Sequence, residues 1–156
     1  MATAPATEVE FDEGDLTPIL DLMAELTAAN AGWINFSPAV EDGYDTPPRT
    51  LFAQIFSANG EKVPLSTWSA PTRPGGRATV GIEHGSGPKA LARLAEHDLA
   101  LAPGWLKLND HPRRGLVVVT GGGSSDADVL WWLLAASHTL SVVPLTENWL
   151  ASVYRG

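Results

Sequence analysis

RATVGIEHGSGPKALARLAEHDLALAPGWLKLNDHPRRGLVVVTGGGSSDADVLWWLLAASHTLSVVPLTENWLASVY, residues 77–154, reads as strand, helix, strand, tight turn, strand, helix, strand. Ala78, Val80, Ile82 and His84 alternate along one strand face, the period-2 pattern of a half-buried strand. Ser86 is placed to cap the following helix, with Pro88 in its first turn and Leu91, Leu94 and Ala95 as its apolar stripe. Pro103-Gly104 breaks the chain before a strand over 105–109. Asp110 to Gly115 has turn composition, and Leu116 to Val119 is an apolar β run. Ser124, Ser125 or Asp126 caps a second helix reaching about Leu140, and Trp149 to Tyr154 is the last strand.

The order βαββαβ is the split βαβ, or ferredoxin-like, arrangement. It predicts an α+β protein whose antiparallel sheet carries its helices on one face. The N-terminal half then supplies an α-β-β extension that enlarges the sheet or covers its other face. Asp15 caps a helix with Pro18 in its first turn and Ile19, Leu22, Met23 and Leu26 at helical spacing. Trp33 to Phe36 is a short strand, Pro38 to Thr50 a loop, and Leu51 to Ser57 a strand leading to an Asn59-Gly60 hairpin. In the returning strand, Val63 to Ser69, Pro64 predicts an edge position. Residues 1–14 read as a disordered acidic tail, and residues 15–156 as a single α+β domain.

Counted from residue 15 to 140 the elements run αβββαββα, and in that order the chain resembles the type III secretion chaperone-like fold. Gly87-Pro88-Lys89, His111-Pro112-Arg113-Arg114-Gly115 and Val143-Pro144-Leu145-Thr146 are similar to segments of small actinobacterial proteins of unassigned function. That resemblance covers the C-terminal half and implies no activity.

The charge pattern narrows the function classes. The net charge is −8, and Glu8, Glu10, Asp12, Glu13 and Asp15 supply five of the negatives with no Lys or Arg among residues 1–15. The body is therefore only mildly acidic and lacks the basic footprint of a nucleic-acid binder. There is no cysteine, hence no disulfide, thiolate metal site or cysteine nucleophile. The first residues lack a basic n-region and an apolar h-region, and the apolar run Val129 to Ala136 is too short to span a bilayer. The expectation is a cytoplasmic protein that binds neither membrane nor nucleic acid.

Nucleotide, zincin and nucleophile-elbow signatures are all missing. Asp126-Ala127-Asp128 serves the helix cap and dipole, and Gly121 to Ser125 lacks the lysine a nucleotide cradle needs. Topology offers a better candidate. Strands 77–84 and 105–110 run parallel across a helical crossover, so their C-terminal ends share one sheet edge. That edge gathers His84, Gly85, Ser86, Gly87 and Lys89 with Asp110, His111, Arg113 and Arg114, and the last helix brings His138 toward it, followed by Glu147. Such an edge suits a small anion held by Lys89, Arg113, Arg114 and a helix N-terminus. His84, His111 and His138 with Asp110 or Glu147 suit a metal, and a histidine–carboxylate pair suits acid–base work. The ordinary alternative is that these residues shape turns and pair locally. No cofactor is expected.

The last helix is apolar nearly all round. Val129, Leu130, Leu133, Leu134 and Leu140 form one face, and Trp131 and Trp132 flank the opposite side. Something should cover the two tryptophans, the N-terminal helix first and a partner subunit second. The leading reading is a non-enzymatic protein-interaction or adaptor module, a homodimer with Trp131 and Trp132 at its interface. A small-molecule or anion-binding regulatory domain and an enzyme at the His84/Asp110–Arg114 edge are the alternatives.

Overall fold

The computed structural model describes Pro5, residues 7–41 and residues 63–156. The expected strand over 51–57 and its Asn59-Gly60 hairpin lie outside them. The elements are β1 (Thr7–Asp12), α1 (Thr17–Ala29), β2 (Trp33–Val40), β3 (Leu65–Ser69), β4 (Thr79–Glu83), α2 (Ala90–Glu96), β5 (Leu106–His111), β6 (Gly115–Val119), α3 (Asp126–Leu140) and β7 (Leu145–Tyr154). The seven strands form one sheet in the order β1-β7-β2-β3-β4-β6-β5, every neighbouring pair antiparallel. Among the described residues the chain is thus α+β, with an antiparallel sheet and three helices.

The register explains the core. Ile34, Trp68, Val80 and Val118 align across four strands, and Phe36, Ser66, Ile82 and Leu116 align in the next row. Both rows are buried, because side chains two apart on a strand share a face. Ile19, Met23 and Leu26 of α1, Ala90 and Leu94 of α2, and Val129, Leu130, Leu133 and Leu134 of α3 join that core. The polar Ser66 is accommodated by α3: its hydroxyl meets Ser137 Oγ at 2.5 Å, and Ser137 Oγ donates to the Leu133 carbonyl. That satisfies two buried hydroxyls at once.

Four expectations need correction. First, residues 7–12 of the supposed tail form β1, paired with β7 along its whole length. Val9 and Phe11 turn toward the core while Glu8, Glu10 and Asp12 are exposed, so alternation outweighs the acidic composition. Second, the N-terminal half does not merely extend the sheet: β2 and β3 sit between β7 and β4. Third, β3 is an interior strand, because Pro64 precedes its first residue and removes no ladder donor from it. Fourth, β2 and β7 run longer than the short strands expected, and Pro38 is accommodated at a register shift.

Both sheet edges carry features that discourage further strand pairing. β1 exposes its acids, and β5 has a register shift between Lys107 and Asn109, the acid, lysine and bulge devices that guard natural edges. Leu106 and Leu108 are nevertheless exposed on β5.

The two tryptophans of α3 part company. Trp132 is 6% exposed; its Nε1–H donates to the Leu99 carbonyl at 3.0 Å and its ring meets Trp105 edge-on at 5.3 Å. Its cover is therefore the connection from α2 to β5, which corrects the expectation that α1 would provide it. Trp131 is 59% exposed. Among the described residues no helix is long and apolar enough to cross a membrane.

Candidate functional site

The end of β4, the start of α2 and the β5–β6 turn meet at one corner of the sheet. Strand direction brings them there: β4 and β5 are each antiparallel to β6, which lies between them. The two strands therefore run parallel to each other and end at the same edge.

His84 follows β4 on its buried face and is 2% exposed. Its Nδ1 accepts the Ser86 backbone N–H at 3.4 Å and lies 2.9 Å from Ser86 Oγ. Ser86 Oγ in turn accepts from Arg93 Nη1 at 3.0 Å. The Ser86 hydroxyl proton therefore points to Nδ1, and the neutral imidazole carries its own proton on Nε2. That Nε2 is buried with no hydrogen-bond partner among the described residues. Burial, and then the Arg93 guanidinium, push the His84 pKa below the ordinary histidine value, while Asp110 pulls the other way.

Arg93, which sequence reading did not single out, ties the whole approach to α2. Besides Ser86 it donates from Nε to the Pro88 carbonyl at 3.2 Å and from Nη2 to the Gly87 carbonyl at 2.9 Å. The helix itself begins later than Ser86 suggests. Lys89 is its N-cap residue, in the left-handed region at φ 59°, and makes no side-chain cap bond. Asp110 supplies the cap from another element: Oδ1 accepts the Ala90 N–H and Oδ2 the Leu91 N–H, each at 3.1 Å. The register pairs Asp110 with Leu116, which puts its carboxylate on the helix-covered face where α2 starts. A carboxylate at a helix N-terminus is favoured by the orphan N–H groups and the dipole.

The β5–β6 turn is stabilised by its own histidine, since His111 Nδ1 accepts the backbone N–H groups of Arg113 and Arg114 at 3.0 and 3.2 Å. Arg113, Arg114 and Lys89 are exposed around the corner, and Gly85 is half-buried within it. Gly115 (φ 84°) closes the turn against β4, where a Cβ would lie 2.5 Å from the Ile82 carbonyl oxygen.

His138 belongs elsewhere. Its Nε2 lies 2.6 Å from Glu13 Oε2, the same oxygen that accepts the Trp149 Nε1–H at 2.8 Å, and its ring meets Trp149 edge-on. Glu147 touches this cluster through its backbone carbonyl, which accepts the Glu13 N–H. The three histidines thus have three separate sets of partners. Among the described residues no group of three or more His, Asp or Glu side chains is gathered closely enough to hold a metal ion.

A cleft of about 570 Å³ lies on the other wing of the sheet, lined by Glu10, Asp12, Ser37, Asn148 and Leu150 among others. It contains none of the candidate ligand-binding residues of the corner. Chemically the corner is largely self-satisfied: Asp110 takes the Ala90 and Leu91 N–H groups of α2, and among the described residues the Ser86–His84 pair has no carboxylate on Nε2 to orient the imidazole as a base. No family model matches the chain, and no curated protein or solved structure matches it.

Proposed function

We propose that the chain is a non-enzymatic interaction module that pairs with a second copy of itself through the outer side of α3. The observation that carries this reading is Trp131, 59% exposed in the middle of a helix whose neighbouring Trp132 is buried. An exposed tryptophan costs hydration free energy until an interface covers it, and tryptophan is enriched among the residues that dominate binding energy. Ala135 is half-buried, and Val142, just beyond the helix, is 50% exposed. With both sheet edges guarded, the helical layer is the more favourable surface for pairing. Light scattering across a concentration series should give a mass that rises from one chain to two. The substitution Trp131→Asp should hold it at one chain and remove the rise of melting temperature with concentration that pairing gives the wild type. A wild-type mass of one chain at every concentration rejects the reading.

The order of the described elements from α1 to α3, αβββαββα, supports kinship with the type III secretion chaperone-like fold. The unit β4-α2-β5 with β6 between its strands supports a ferredoxin-like half. A second functional reading, a small anion bound at the corner, is favoured by the exposed Lys89, Arg113 and Arg114. Because Asp110 occupies the helix N-terminus, side chains alone would hold that anion. Stabilisation by inorganic phosphate that disappears in Arg113→Ala/Arg114→Ala supports it; an unchanged melting temperature in phosphate rejects it.

A further inference from the structure

Charge is segregated along this chain and along its sheet. Residues 1–48 contain no Lys or Arg, and the cleft on the β1 wing is lined by the carboxylates of Glu10 and Asp12 together with the polar side chains of Ser37 and Asn148. Glu10 and Asp12 are exposed on one face of β1, two residues and about 7 Å apart. Asp12 Oδ1 accepts the Gly14 N–H at 2.8 Å, and a carboxylate has room for further donors. Among the described residues no Lys or Arg lines this cleft. Arg155, just after β7, is paired with Glu25 at 2.7 Å, and His138 with Glu13.

The other end of the sheet carries the complement. The β5–β6 hairpin ends in Pro112-Arg113-Arg114. His111 Nδ1 holds the backbone N–H groups of both arginines, so the turn is organised before a partner arrives. Both arginines are exposed, as is Lys89 at the same corner. Asp110 is committed to the Ala90 and Leu91 amides, which leaves Glu83, at the end of β4, as one negative charge against those three cations. Two guanidinium groups on a convex turn and two carboxylates in a concave cleft are partners for bidentate ion pairing. At about 570 Å³ the cleft has the volume of a ligand-sized site. A single chain cannot join the two, because β1 and β5 are opposite edges of the seven-stranded sheet, about 29 Å apart.

We propose that the Arg113-Arg114 turn of one copy docks in the Glu10/Asp12 cleft of the next. The contact is heterologous: each copy has one turn to offer and one cleft to fill, so repetition builds a ring or an open chain. It lies apart from the outer side of α3 and is independent of pairing there. It uses the arginines of the small-anion reading, and inorganic phosphate is then a competitor for them. The net charge of −8 opposes unspecific association, so the copies approach only with these opposite patches facing.

Salt separates the two contacts: in about 0.5 M salt the charged one is screened and only apolar pairing through α3 is left, whereas in about 0.05 M salt both operate. By light scattering the full-length Trp131→Asp chain should be one chain in about 0.5 M salt and should exceed one chain, increasingly with concentration, in about 0.05 M salt. Within that variant, Glu10→Lys/Asp12→Asn alone and Arg113→Glu/Arg114→Glu alone should each stay at one chain at low salt. Their equimolar mixture should associate, because each supplies the charge the other has lost. Should either pair of substitutions unfold the chain, the neutral Glu10→Gln and Arg113→Gln should each weaken low-salt association at least tenfold. Trp131→Asp remaining at one chain in low salt overturns the proposal, as does a folded mixture that stays at one chain or association that the substitutions leave unchanged. The cleft substitutions leave the arginines in place, so stabilisation by phosphate is still measurable in them and the small-anion reading fails or stands separately.

Discussion

Asp110 has a capping role that a reading of its neighbours in sequence does not suggest. It lies in the polar run before a turn, yet its two oxygens hold the N–H groups of Ala90 and Leu91, twenty and nineteen residues back. Removing a capping oxygen costs about 0.5–2 kcal/mol. Asp110→Ala should therefore lower the stability measured by urea unfolding by about 1–2 kcal/mol with the slope unchanged. Gly115 is more demanding, because any Cβ there meets the Ile82 carbonyl while the backbone stays at positive φ. Gly115→Ala should cost more than about 2 kcal/mol in the same measurement. His84 sets a pH dependence of definite sign. Its folded pKa is depressed, so between that value and the unfolded value of about 6.5 the unfolded chain holds more protons. Stability rises with pH through this window and is lost as pH falls below about 6.5. Urea midpoints at successive pH values should show that slope, and His84→Gln should flatten it.

At the scale of elements, α3 and β1 are the informative cases. Every turn of α3 contributes to the core, yet its two adjacent tryptophans differ tenfold in exposure. Helix geometry separates neighbours by about 100°, so one ring reaches Trp105 and Leu99 while the other faces away. Trp132→Ala should cost about 3–5 kcal/mol, whereas Trp131→Ala should change urea stability of the monomer by less than about 0.5 kcal/mol. β1 is pinned at its end by Glu13, whose Oε2 serves both Trp149 and His138. Glu13→Ala leaves the Trp149 indole N–H without that acceptor. It should cost about 1–3 kcal/mol and speed hydrogen exchange of the β1 amides before those of β3.

Across the whole molecule, the helical half of the topology was legible from residue 77 onward because capping residues, Gly and Pro punctuation and apolar periodicity act locally. The exchange of partners was not. β7 pairs with β1 and β2, at opposite ends of the chain, and sequence spacing carries no signal for which of several β runs will share a ladder. The candidate corner was half legible. Strand direction placed His84, Ser86, Lys89, Asp110 and the arginines at one edge, while Arg93 looked like an ordinary helix-surface cation and Glu13 like part of a tail. His138 shared the edge but not the corner, because the sheet is seven strands wide and neighbouring strands stand about 4.8 Å apart. Composition, patterning and turn chemistry determined the α+β class, the helices and most strand positions, since those follow from forces between near neighbours. The tertiary structure alone decided that Asp110 caps α2, that Trp132 is covered and Trp131 is not, and that three histidines have three unrelated sets of partners. Each depends on which side chains long-range packing brings within hydrogen-bond or contact distance.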